Sequence, residues 1–98
     1  MLNERHAHGL AYDAKSDTLI LRSDDLGKNG PRDAQLLLDG KGFLVGVDIT
    51  GSERVVVMIG PHEAVDRTVS TSVNVSGSSI EIRDAKRAAR GHEKNPYA

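Results

Sequence analysis

Between positions 43 and 59 the chain first alternates apolar with small or polar residues, then turns apolar without a break. Phe43, Val45, Val47 and Ile49 are spaced by two, with Leu44, Gly46, Asp48 and Thr50 between them. That period places four bulky apolar side chains on one face of a strand. Thr50-Gly51-Ser52-Glu53 supplies turn chemistry, and Val55-Val56-Val57-Met58-Ile59 follows. A short β-branched run bounded by turn residues predicts a central strand buried on both faces. A helix would need about 10 residues and a 3.6-residue period. The pattern predicts a hairpin around which the remaining segments pair or pack.

The flanking segments carry the same two-residue rhythm. Residues 9–12 and 18–22 predict a first hairpin about residues 13–17, where Asp and Ser side chains bond nearby backbone amides. Residues 1–8 are polar and predict a loosely ordered end. Asp24, Asp25, Gly27, Asn29, Gly30 and Pro31 break both helix and strand, so residues 23–33 predict an exposed loop. Residues 34–38 predict a strand that enters the tight turn Asp39-Gly40-Lys41-Gly42. Gly60-Pro61-His62-Glu63 ends the apolar run, with Pro61 placed to open one helical turn. Val69, Thr71, Val73 and Val75 then alternate with Ser70, Ser72, Asn74 and Ser76. That strand buries one face and shows water hydroxyls and amides. Residues 76–79 turn it back into Ile80-Glu81-Ile82. Asp84 as N-cap and Gly91 as stop frame one short helix over residues 85–90, and residues 92–98 read as a tail. The expected fold is mainly β: an antiparallel β-meander of about seven strands forming a small sandwich or open barrel, with one short C-terminal helix.

Composition narrows the class. Ninety-eight residues fit one domain, and 3% aromatics leave the core to Val, Leu and Ile. A core this thin, with a central strand apolar on both faces and a two-turn helix to cover it, predicts a homodimer. A formal net charge of −1 gives no global field toward nucleic acid or an anionic membrane. The lack of cysteine excludes disulfides and thiolate metal sites and fits a reducing cytoplasm. No apolar run approaches the roughly 20 residues of a membrane helix, and the N-terminus has no apolar signal core. A soluble cytoplasmic protein with no membrane association is the expectation.

Two stretches echo each other. Tyr12-Asp13-Ala14-Lys15 with Leu19-Ile20-Leu21 matches Leu38-Asp39-Gly40-Lys41 with Leu44-Val45-Gly46-Val47. Duplication and the small vocabulary of turns both account for it. Tyr12-Asp13, Asp17-Thr18-Leu19-Ile20-Leu21, an Asp-Gly turn and Leu44-Val45-Gly46-Val47-Asp48-Ile49 together resemble a family of short bacterial domains of unknown function. Their pattern is Tyr-Asp, then Asp-x-Leu-x-Ile, then Leu-Val-Gly-Ile-Glu-Ile. The resemblance covers residues 11–50, and the chain departs from it in the 23–33 loop and after Thr50. It implies an accessory or antitoxin-like binding role.

Candidate chemistry is sparse. His6 and His8 would share one side of a strand and could hold zinc or nickel, with His62, Glu63 and Asp66 as further ligands at no recognisable spacing. Asp24, Asp25 and Asp33 lack the acidic order of a calcium loop and read as exposed turn residues. His62, Glu63, Asp66 and Arg67, with Ser70 and Ser72 nearby, offer acid–base groups without a nucleophile elbow or phosphate loop. No catalytic residue, metal ligand or cofactor is assigned, and enzyme activity is not expected. Arg83, Lys86, Arg87, Arg90 and Lys94 make residues 80–94 locally basic, five cations against three acids. No aromatic stacking platform accompanies them, which disfavours nucleic acid. Arg83, Lys86, Arg87 and Arg90 are the candidate interaction residues. The leading expectation is a non-enzymatic, self-associating interaction or structural module. The alternative is a small antitoxin-type regulatory protein that binds a protein or nucleic acid through its C-terminal segment.

Overall fold

The structure, a computed structural model, describes residues 3–51, 53–89 and 95–97. Its strands are β1 (Asn3–His6), β2 (Gly9–Asp13), β3 (Thr18–Arg22), β4 (Gly30–Leu38), β5 (Leu44–Ile49), β6 (Val55–Met58), β7 (Arg67–Ser76) and β8 (Ser79–Arg83). A 3₁₀ turn spans His62–Ala64 and one helix, α1, spans Ala85–Ala88. The strands form one curled sheet in the order β1-β6-β5-β4-β7-β8-β3-β2, antiparallel except where β1 meets β6. The fold is thus mainly β, an open half-barrel with a short C-terminal helix.

The predicted hairpin holds the position expected of it. β5 and β6 pair from Gly46↔Met58 to Ile49↔Val55, and every residue of both strands is buried. The single apolar face expected of Phe43, Val45, Val47 and Ile49 is nevertheless split. Leu37 opposes Gly46 while Leu38 opposes Leu44, so Val45 is left out of the ladder with β4. The Val45 carbonyl instead accepts the amides of Ile59 (2.8 Å) and Gly60 (3.0 Å). Such a bulge reverses the phase of alternation. Leu44, Val47 and Ile49 therefore enter the concave core, and Val45 joins Val56 and Met58 on the convex face.

Residues 3–6 are not loosely ordered, as expected from their polarity, but form β1 in parallel register with β6. Without β1, the valines of β6 would present an open, aggregation-prone edge. The amide of Ala7 then bonds the Met58 carbonyl and that of His8 the Arg22 carbonyl, each at 2.9 Å. One stretch thus runs from one sheet edge to the other and draws the two together.

Each end of the half-barrel is plugged. Residues 23–29, expected as an exposed loop, send Leu26 into the core at 1% exposure. Arg32 ties this plug down: its guanidinium donates to the carbonyls of Leu26 (3.1 Å), Lys28 (3.0 Å) and Glu53 (3.0 Å). Residues 30–33, assigned to the same loop, belong to β4. At the other end Ala85 and Ala89 of the helical segment fill the core. Asp84 precedes α1 but does not cap it with its side chain, because its φ of 52° is left-handed and N-caps are extended. Asp17 from the first hairpin takes that role. Its carbonyl accepts the Ala85 amide (3.1 Å) and its carboxylate the Lys86 amide (3.2 Å).

Of the expected C-terminal tail, residues 95–97 are packed. Asn95 donates to the Leu44 carbonyl (3.0 Å), and the Tyr97 hydroxyl to Asp39 (3.1 Å). The Tyr97 ring lies so close over Gly60 that a Cβ there would come within 2.5 Å of it. Tyr97, Leu37, Ala64 and Val65 cover Val45, Val56 and Met58. The convex face that the sequence assigned to a dimer partner is thus covered from within.

Candidate functional site

The expected basic residues gather where the sheet forks. β7 and β8 start as a tight hairpin, but their ladder holds only Asn74↔Glu81, Val75↔Ile80 and Ser76↔Ser79. β7 continues along β4 as far as Arg67, whereas β8 stays with β3. The strands therefore part at Val73 and Ile82, before Ser72 and Arg83 could form the next hydrogen-bonded pair. α1 sets into this fork and leaves a recess of about 250 Å³. Val69, Ser70 and Thr71 line one side of it, and Arg83, Asp84 and Arg87 the other.

Arg83 ends β8 and Arg87 lies on α1, so only the turn at Asp84 brings both guanidinium groups to the recess. Lys86 is on α1 but does not line the recess. All three cations are exposed, and among the described residues none forms an ion pair. Arg90, Gly91 and Lys94 lie outside the described residues. Arg83 also borders a second, larger hollow of about 390 Å³ on the outer face of β2, β3 and β8, with Asp13, Thr18, Ile20 and Glu81. Two guanidinium groups beside hydroxyls can bind carboxylate or phosphate.

The other candidate groups are dispersed. His62 meets Glu4 of β1, and His8 meets Asp24 at 3.6 Å. No three His, Asp or Glu side chains among the described residues are grouped around a common point. Asp25 sits in the plug loop with a φ of 54°, while the Asp33 carbonyl accepts the Thr50 amide from within β4. Ser70 and Ser72 lie on β7, and β6, β5 and β4 separate that strand from the Glu4 that holds His62. Sequence proximity does not bring the loop histidine to these serines.

Two acidic residues are structural. Asp39 is 9% exposed and receives the amides of Lys41 and Phe43, each at 2.9 Å, besides the Tyr97 hydroxyl. Burial works against its charge, but the bonds from Phe43, Lys41 and Tyr97 outweigh burial and hold the carboxyl below its usual range. Burial first, and then Asp39, push the Tyr97 hydroxyl above its ordinary value. Asp48 is 6% exposed on β5 and is held in a fork by Arg54, with contacts of 2.8 and 3.1 Å. The Asp48 carboxylate raises the guanidinium's affinity for its proton.

Comparison of the chain with protein-family models, curated proteins and solved structures found no match. Among the described residues no helix is long and apolar enough to cross a membrane.

Proposed function

We propose that this protein is a non-enzymatic binding module that takes an acidic protein partner at the fork between β7 and β8. The observation that supports this most is the convergence of Arg83 and Arg87 on one recess, unpaired among the described residues. Elsewhere Arg54 neutralises Asp48, and Arg32 ties down the plug. Free guanidinium groups around a concave surface suit carboxylates. Nucleic acid is the weaker reading, because no aromatic side chain lines the recess to stack a base. Tyr12 and Tyr97 are engaged with Asp17 and Asp39. An antitoxin-like role in which the partner is a protein is compatible with this reading.

Binding of labelled poly-glutamate and poly-lysine by fluorescence anisotropy tests the proposal. Poly-glutamate should bind at low salt, weaken as salt rises, and be lost when Arg83→Glu and Arg87→Glu are combined. Poly-lysine should not bind. Equal binding of poly-glutamate by the parent and the double variant would sink the assignment.

A further inference from the structure

The recess borders an unpaired strand edge as well as two arginines. In antiparallel pairs the backbone groups of successive residues point alternately to the two neighbouring strands. Ser76↔Ser79 closes a two-residue hairpin, so the N–H and C=O of Ser76 face β8. Those of Asn74, Ser72, Ser70 and Thr68 face the same way. The opposite flank agrees: Pro31, which has no N–H, stands across from Asn74 on β4, where no donor to Asn74 is needed. β8 is in phase too, since the Ser23 amide bonds the Ser78 carbonyl and leaves Arg83 facing β7. Beyond Asn74↔Glu81 the ladder stops. Thr68, Ser70 and Ser72 are exposed, and among the described residues their backbone groups meet no backbone partner on that side.

We infer that the β7 edge at Thr68, Ser70 and Ser72 binds a short, extended acidic segment by strand addition, with Arg83 and Arg87 taking its carboxylates. This deepens the reading above and rests on it. Backbone pairing would supply affinity without regard to sequence, and the arginines would select acidic side chains at alternate positions. A second copy of the chain fits poorly. Twofold pairing of two such edges would bring Arg83 and Arg87 of one copy toward those of the other, and like charges at an edge oppose pairing. The same charges deter nonspecific pairing, so an acidic strand is the occupant they admit.

The test uses a fluorescein-labelled peptide of alternating Glu and Val, an alternating Lys and Val control, and a single-stranded oligothymidine. The acidic peptide should bind the parent and slow hydrogen exchange at the amides of Thr68, Ser70 and Ser72. Ser70→Pro removes one edge donor while keeping an extended backbone, and should weaken the peptide about tenfold or more. Ser70→Ala, which keeps the edge amide, should weaken the peptide less than Ser70→Pro does. Acidic-peptide binding that depends on Arg83 and Arg87 but leaves those three amides unprotected overturns strand addition and keeps the fork as a binding site. Oligothymidine binding in place of the peptide also overturns it, in favour of phosphate recognition. If neither binds, the fork reading falls as well. The exchange measurement on the parent decides the matter even if Ser70→Pro does not fold.

Discussion

At the scale of single residues, Asp39 links the turn before β5 to the end of the chain. Its carboxylate gathers two backbone amides and the Tyr97 hydroxyl, and together these hold it below the usual carboxylate range. A folded value below the unfolded one, about 3.9 for Asp, gives stability that is full at neutral pH. That stability is lost as pH falls through the folded value, because the unfolded chain takes up its proton first. Asp39→Asn keeps an acceptor but removes the titration. In urea melts the gap between parent and variant should be constant from neutral to mildly acidic pH and close in strong acid. A gap that widened on acidification would mean that Asp39 does not hold its charge in the folded state. The backbone amide of Lys15 donates to the Asp13 carboxylate at 3.0 Å as that of Lys41 does to Asp39 at 2.9 Å. Shared turn chemistry is therefore enough to explain the echo between the two hairpins.

At the scale of elements, the β5–β6 hairpin and the bulge beside it make two predictions. Val57 is 0% exposed, and Val57→Asp would bury a carboxylate in the apolar core cluster, with the partly buried Arg5 of β1 as its register partner. That costs several kcal/mol against a total of about 5–15 kcal/mol, so the variant should fail to fold by circular dichroism. Gly46 is the subtler position. A Cβ there would come within 2.7 Å of the Met58 sulfur and 2.8 Å of the Val57 carbonyl. The carbonyl cannot retreat without parting β5 from β6, so Gly46→Ala should cost about 1–3 kcal/mol in chemical denaturation. An unchanged midpoint would count against the close approach of the two strands. These elements were legible in the sequence because period-two patterning and turn residues act within a few positions. The bulge at Val45 was not, since the slip lies between partners and leaves no break in the alternation. The burial of Leu26 within the predicted 23–33 loop is hidden for a related reason: one apolar residue among breakers carries no period, and only the open end of the half-barrel gives it somewhere to go. The candidate site was half legible. Arg83, Lys86 and Arg87 stand out as charge, but the fork depends on where β8 leaves β7, and Ser70 reads only as part of a wet strand face and Thr71 as part of the buried one.

At the scale of the whole molecule, the question is whether the convex face of β5 and β6 needs a second subunit. The sequence predicted that it would, because the run from Val55 to Ile59 is apolar on both sides and the helix is short. The helical segment does not go there; Ala85 and Ala89 fill the concave core. Cover for the convex face comes from Leu37, Ala64, Val65 and above all Tyr97, and leaves Val56 at 4% and Met58 at 1% exposure. A face already dry in one copy gives little further hydrophobic driving force to a dimer. Sedimentation equilibrium at micromolar concentration should therefore find the parent as one species near 10.5 kDa. Tyr97→Ala removes the largest part of the cover and the Asp39 contact together. It should lower the melting temperature, and the uncovered Val45, Val56 and Met58 should raise the average mass with concentration. A parent already at twice the monomer mass would show that Tyr97 does not suffice, and a variant still monomeric would show that this face does not pair.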